Sequence, residues 1–286
     1  MGQAAERLEW LEARKQYIGG TDAAAIVGLS RRKTLLDCWA EKTGTVPIDD
    51  KDSEPAKVGR YLEAYVSQRF TEETGKKVRR VNDTLFHKEF PFIGANIDRR
   101  VIGEDAILEA KTTTAWLAKE WETNEIPQEY IVQCLHYLAV TGALRCYLAV
   151  LIGNQEFKWM VVERDEAAIA SLVRREVEFW TQYVIPRRMP KLVKAADSDI
   201  LSRLFNEAPE GSLISLPNEA NDKIDLIEAY SADKRNLEAQ IGQMKNELKM
   251  MLGNNEAGLT DRYKVTWRFQ KDKTTRVLRI AERKGA

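Results

Sequence analysis

The sequence predicts an α+β (or α/β) protein in which helices flank one central sheet, followed by a C-terminal extension of a long helix and a β-hairpin. Three observations carry this. Apolar residues recur at helical spacing through the first ~75 residues. Strand-like runs then cluster in two groups, residues 78–112 and 146–162, with a helical stretch between them. Near the C-terminus a periodic stretch of ~30 residues precedes a run with the period of two that marks a strand. The boundary is expected near residue 195, giving a core of 1–195 and an extension of 196–286.

The chain has 286 residues, enough for one or two domains with their own cores. Its 44 Lys and Arg balance 44 Asp and Glu, which excludes a strongly cationic DNA-coating protein. With 44% apolar residues and a mean hydropathy of −0.44, it is neither disordered nor membrane-embedded in composition. No apolar run approaches the ~20 residues of a spanning helix, and Met1 to Arg14 lacks a signal peptide's apolar region, so a cytoplasmic protein is expected. Cys38, Cys134 and Cys146 form no CxxC pair and cannot build a four-thiolate metal site. They read as small buried hydrophobes.

The elements follow in order. A helix over Ala4 to Gln16 ends at Tyr17-Ile18-Gly19-Gly20, and Thr21-Asp22 offers an oxygen cap for a second short helix through Val27. A third helix carries Leu35, Leu36 and Trp39 to a stop at Gly44. After a polar loop from Asp49 to Pro55, Lys57 to Thr74 places Val58, Leu62, Tyr65, Val66 and Phe70 at helical spacing, with Gly75 as the C-terminal stop. Strands are expected at Val78–Val81, Thr84–Phe90, Phe92–Ile102 and Ala106–Thr112, the last two forming a hairpin. Pro127 opens a helix closed by Gly142. A second hairpin, Cys146–Ile152 and Glu156–Val162, turns at Gly153-Asn154, and Asp165 caps an amphipathic helix. Further on come a short helix around Asp197–Asn206, a long helix to Leu252 with heptad-like apolar positions from Leu237, and a half-exposed strand, Tyr263–Phe269.

The chemistry concentrates in Ile97-Asp98-Arg99-Arg100 and Leu108-Glu109-Ala110-Lys111. Ile107 and Leu108 are apolar on both faces, as in a central strand, and charges on such a strand cost stability unless paired or bound to metal. An even-length loop, either Glu104-Asp105 or Gly103 to Ala106, sets Asp98 opposite Lys111 and Arg100 opposite Glu109, all on one face. Asp98 and Glu109 are then diagonal neighbours about 7–8 Å apart, able to converge on one cation. Oxygen donors without thiols suit Mg²⁺ or Mn²⁺, and the Ala110 carbonyl is a further candidate ligand. Lys111 points the same way and is placed to orient or deprotonate a water, or to steady charge on a phosphate. Glu63 faces inward from the Lys57–Thr74 helix as a third acid, and Tyr130 and Gln133 share one face of the Pro127 helix. Arg14 and Thr21, beside Gly19-Gly20, could hold a terminal phosphate. The plainer reading of the central four is a solvated charge ladder, and of Thr21-Asp22 an ordinary helix cap.

Taken in order, Arg14 with Ile18-Gly19-Gly20-Thr21-Asp22, Leu36 to Gly44, Gly59-Arg60-Tyr61-Leu62-Glu63, Gly94-Ala95-Asn96-Ile97-Asp98, Leu108-Glu109-Ala110-Lys111 and Pro127 with Tyr130 and Gln133 resemble the phage lambda exonuclease and YqaJ-type viral recombinase family of the PD-(D/E)XK nuclease superfamily. The resemblance covers roughly residues 10–190 and implies a restriction-endonuclease-like core with a central mixed sheet. It implies that Asp98 and Glu109 bind the metal, Lys111 and Glu63 assist, Tyr130 and Gln133 flank the active site, and Arg14 and Thr21 take a 5′-phosphate. Ile97 stands where the superfamily's name has proline. The implied activity is Mg²⁺-dependent 5′-to-3′ degradation of linear double-stranded DNA, leaving 3′ tails, by a homotrimer working with a single-strand annealing protein of the RecT or Red-beta kind. A PD-(D/E)XK endonuclease and a non-catalytic DNA-binding or scaffolding module are the alternatives. The stretch Trp267 to Lys284 carries seven basic residues against two acidic ones, a surface for DNA or the annealing partner, or simply a solvated edge.

Overall fold

A computed structural model describes residues 3–47, 53–121, 125–191, 194–270 and 274–283. Most of the expected Asp49–Pro55 loop, and Lys271, Asp272, Lys273 and Lys284 of the basic tail, lie outside the described residues. The chain divides into two compact units, Met1–Ala208 and Pro209–Ala286.

The first unit opens with three helices, α1 (Gln3–Arg14), α2 (Gly20–Ile26) and α3 (Leu35–Thr43), followed by α4 (Glu54–Thr74). Thr34 starts α3 by accepting from the Asp37 N–H while Asp37 accepts from the Thr34 N–H. Gly44 ends it with φ 64°, a left-handed conformation that residues with a Cβ rarely adopt. Strands β1 (Val78–Arg80), β4 (Arg99–Val101), β5 (Ala106–Thr113), β6 (Arg145–Ile152) and β7 (Glu156–Glu163) form a five-stranded sheet in the order β1-β4-β5-β6-β7. Only β5 and β6 run parallel, joined by the crossover helix α5 (Gln128–Thr141), so the sheet is mixed. Helix α6 (Glu166–Phe179) follows, its start capped by Asp165 Oδ1, which accepts from Ala167 N and Ala168 N at 2.9 Å each.

Burial on both faces makes β5 and β6 central. Ile107, Leu148 and Val150 pack with Cys134 and Leu138 of α5 on one face, whereas Leu108, Tyr147 and Ala149 pack with Val66 and Phe70 of α4 on the other. The three cysteines are buried thiols, as expected.

Three expectations need correction. The Phe92–Ile102 strand is broken into β3 (Gly94–Ala95), which pairs with β2 (Leu85–Phe86), and β4 in the main sheet. Asn96 marks the break: it donates to the Tyr17 hydroxyl at 2.7 Å and accepts from Thr84, so the chain changes sheets there. The Thr84–Phe90 strand keeps only two residues, because His87 Nδ1 accepts the N–H groups of Glu89 and Phe90 and curls the chain. The hairpin register also differs by two residues, with Arg99 opposite Leu108 and Arg100 opposite Ile107. Ala106, 1% exposed, opens β5 as expected, and Gly103, with φ 81°, takes the turn.

Beyond β7 the first unit continues past residue 195, because Ile200 of helix α7 (Ser198–Leu204) is buried among Leu36, Trp39 and Phe179. The second unit consists of α8 (Glu219–Leu252) and a sheet of β8 (Ala257–Leu259), β9 (Tyr263–Phe269) and β10 (Arg276–Glu282) in the order β10-β9-β8. Strand β8 joins the expected hairpin. Leu252 and Val265 are buried, while Leu237, Ile241 and Met244 of the heptad-like row are exposed.

One buried pair ties α5, α6 and β3 together. His136 Nδ1 lies 2.7 Å from Glu176 Oε1 and Nε2 lies 2.8 Å from the Gly94 carbonyl, two acceptors that call for an imidazolium. Burial opposes that charge, but Glu176 outweighs it and raises the His136 pKa above 6.5. A raised folded pKa means that the stability contributed is fully present below 6.5 and is lost as pH rises through the raised value. Denaturant titrations are therefore expected to show the protein weakening as pH climbs above neutral. Glu176→Gln should cost about 3–5 kcal/mol at pH 6 and flatten that slope; an unchanged slope would refute the imidazolium.

Candidate active site

Glu109 sits mid-strand on β5 and is 4% exposed. Its Oε1 accepts from Lys111 Nζ at 2.6 Å and from Gln133 Nε2 of α5 at 2.7 Å. Its Oε2 is buried and meets no hydrogen-bond donor. Asp98 precedes β4 at the position that extends the observed register to Glu109, so the two carboxylates lie directly across rather than diagonally. A shift of two residues keeps every side chain on its expected face. Asp98 Oδ2 accepts from the Ala110 N–H at 2.8 Å. A strand residue's N–H and C=O point to the same edge, so the Ala110 carbonyl also faces the Asp98 side.

Electrostatics mark this as a place short of positive charge. Burial, then Glu109 and Glu63, push the Asp98 carboxyl well above the usual carboxylate range. Burial works against the Lys111 ammonium, but Glu109 and Asp98 outweigh it and raise its pKa. Lys111 is thus held as a cation, which favours orienting water and steadying charge over deprotonation. Its Nζ lies 5.4 Å from the centre of the Tyr130 ring, which stacks on Trp121. Two clustered carboxylates, an orphaned buried oxygen and a carbonyl on the same side make a donor set that fits a hard divalent cation.

Glu63 acts on Asp98 electrostatically and is itself paired. Its Oε1 forms an ion pair with Arg99 Nη1, and among the described residues no three His, Cys, Asp or Glu side chains gather around one point. Arg99, 8% exposed and next in sequence to Asp98, was legible as a charge but not as the partner of a helix 36 residues away.

The amino-terminal residues come together as expected, with a different cap. Arg14 Nη2 donates to Thr21 Oγ1 at 3.1 Å, and Arg14 Nε is buried without an acceptor. The residue before α2 is Gly19, whose N–H donates to Asp22 Oδ2, so Thr21 lies within the first turn and its hydroxyl is left for Arg14. Asp22 is fully buried between Lys33 and Lys42, each 2.6 Å away. Burial alone would raise its pKa, but the two ammonium groups hold it well below the carboxylate range. Lys42 also donates to the Arg14 carbonyl at 2.7 Å, fixing the end of α1. Lys33, Lys42 and Tyr137 were not foreseen.

Tyr137 connects the two places. Gln133 Nε2 donates to its hydroxyl at 2.9 Å as well as to Glu109. A Cβ on Gly20 would fall 2.7 Å from Tyr137 Cε1 and 2.9 Å from Gln133 Cγ, so α2 packs on α5 only because residue 20 is glycine.

The site is thus a mixed sheet, flanked by helices, whose central strand carries Glu-x-Lys and is faced by an aspartate just before the neighbouring strand β4. The solved alkaline exonuclease LHK-Exo of Laribacter hongkongensis superposes with a TM-score of 0.53 over 61% of this chain and 91% of its own, at 21% identity. Its complex with dAMP gives the same TM-score over 68% of this chain and 96% of that one, at 22% identity. The model of the YqaJ-like viral recombinase domain matches residues 9–144. The uncharacterized protein YqaJ of Bacillus subtilis (strain 168) is 39% identical over 265 residues, 92% of this chain and 83% of that protein. The chain belongs to the YqaJ-like viral recombinase family. Among the described residues no helix is long and apolar enough to cross a membrane.

The crowding at Asp98 has a measurable sign. A carboxyl with a raised folded pKa stabilises the fold below 3.8 and loses that contribution as pH rises through the raised value. Asp98→Asn keeps an acceptor for Ala110 N–H and removes the charge. In EDTA at pH 8 its thermal midpoint should exceed that of the wild type, by about 2–4 °C per kcal/mol relieved, and the gap should close toward pH 4. Equal midpoints at pH 8 would show that the carboxylates do not crowd one another.

Proposed function

We propose that this protein is a cation-dependent deoxyribonuclease that removes the 5′ strand of linear double-stranded DNA and leaves 3′ tails for strand-annealing recombination in a phage-infected or prophage-bearing cell. The observation that carries the reading is the buried, unpartnered Glu109 Oε2 beside Asp98 and Lys111. Asp98, Glu109 and the Ala110 carbonyl would hold Mg²⁺, with Mn²⁺ as a substitute. When bound, the ion supplies Lewis-acid activation of water and phosphate.

The protein's own groups have distinct tasks. Gln133 and Lys111 pin one oxygen of Glu109 and leave the other for the cation. Lys111 orients the attacking water and offsets the charge that builds on the phosphate oxygens. Tyr130 seats the ammonium against its ring. Arg14 and Thr21 take the 5′-phosphate, a role the orphaned Arg14 Nε supports, because guanidinium groups bind phosphate through several N–H groups at once. Glu63 acts indirectly, by holding Arg99 at the base of the site. The family resemblance supports a cytoplasmic homotrimer and an annealing partner of the RecT or Red-beta kind.

The test is digestion of linear duplexes labelled at the 5′ or the 3′ end. Mononucleotides from the 5′ label are expected with Mg²⁺ and none with EDTA, while covalently closed circles stay intact. Cut circles would move the assignment to an endonuclease, release of the 3′ label alone would reverse the polarity, and full retention of both labels would overturn catalysis. Asp98→Ala, Glu109→Ala and Lys111→Ala should each lower kcat by at least ~10²-fold, the scale for losing one transition-state contact. In steady-state assays, Arg14→Ala should remove any preference for 5′-phosphorylated over 5′-hydroxyl ends. A preference that survives would place the phosphate elsewhere.

A further inference from the structure

The segment after Lys111 leaves the sheet and returns to the same residue. Strand β5 ends at Thr113, and a 3₁₀ segment, Ala115–Trp121, brings the chain back so that Trp121 stacks on Tyr130, whose ring carries Lys111 Nζ. The excursion is tied down along its length. Gly153 N donates to the Thr113 carbonyl at 2.7 Å, and a Cβ on Gly153 would lie 3.4 Å from Ala115 Cβ. Glu120 is held by Arg31, and Lys158 Nζ donates to the Trp121 carbonyl at 2.7 Å.

On this braced segment Trp116 is 93% exposed, while Trp121 five residues later is 1% exposed. Burying an indole normally removes 150–250 Å² from water, so an outward ring on a fixed support forgoes a large gain. Packing within the chain does not explain it. Five residues separate Trp116 from Lys111, so its Cα lies within about 18 Å of the Lys111 Cα, given at most ~3.6 Å per residue. At ~3.4 Å per nucleotide along one strand, that covers roughly the first five nucleotides around the cleaved bond.

The surroundings select the partner. Along this stretch the ring is preceded by Thr112, Thr113 and Thr114, and the other exposed large apolar residue is Leu117, 38% exposed. A protein interface needs a contiguous patch of about 800 Å² per partner, which one ring and one leucine do not make. A lone exposed π-face matches a nucleobase, whose stacking is indifferent to sequence.

We propose that Trp116 is a stacking platform for a base of the DNA near the scissile phosphate, holding the strand in place between successive cuts. This rests on the nuclease reading above. The experiment has two arms. In the first, 2-aminopurine is placed at each of nucleotides one to five from the duplex end, or at nucleotide fifteen as control, and fluorescence is read with protein carrying Asp98→Asn, so that binding is seen without digestion. Quenching is expected within the first five positions, absent at fifteen, lost on adding Trp116→Ala and kept with Trp116→Phe. In the second, Trp116→Ala in an otherwise native chain should raise KM for linear duplex roughly 5- to 150-fold, the range for loss of one stacked base. Its kcat and thermal midpoint should stay near wild type, and Trp116→Phe should restore KM. Unaltered quenching and KM in Trp116→Ala, while the wild type digests DNA, would overturn the platform alone. A wild-type protein that releases no nucleotides would overturn the nuclease reading, and the fluorescence arm would still decide whether Trp116 stacks.

Discussion

The arrangement of the first unit depends on one costly act, the burial of the Glu109 carboxylate at the centre of the sheet. A buried charge must be matched, and the neighbouring elements supply the match piece by piece. Strand β5 turns Lys111 to the same face, α5 adds Gln133 to the same oxygen, and β4 stops short so that Asp98 can bend to the Ala110 N–H. One oxygen remains unmatched. The parallel pairing of β5 and β6 follows from the same requirement, because only a crossover helix lying on that face brings Gln133 over Glu109.

Local and long-range features were unequally legible in the sequence. Glu109 and Lys111, two apart on a strand, had to share a face, and Gly44, Gly75 and Asp165 announced their helix ends through backbone and capping chemistry that acts within a few residues. Register was harder, since several loop lengths satisfy the same alternation. Pairs such as Glu63 with Arg99, His136 with Glu176 and Asp22 with Lys42 left no trace in spacing, because their partners arrive on separate elements. Asn96 and His87 show a related blind spot: a single side chain that bonds the backbone or another loop can end a strand whose apolar pattern would continue it.

The equal count of acidic and basic residues also takes on meaning. Part of the balance is internal: Asp22 with Lys33 and Lys42, Glu63 with Arg99, and Glu109 with Lys111, while Glu176 is matched by His136, which the count leaves out. These charges are spent on holding groups in place. The net value therefore says little about what the surface presents, and local fields near Arg14 and Lys111 matter more than the sum.

The close seating of Gly20 on Tyr137 and Gln133 has a metrical consequence. The Arg14–Thr21 corner and the Glu109 carboxylate are referred to one face of one helix, with no hinge between them. Their separation is thereby held as a fixed gauge. In the nuclease proposed above, such a gauge would take off the same length at every stroke, however flexible the material fed into it.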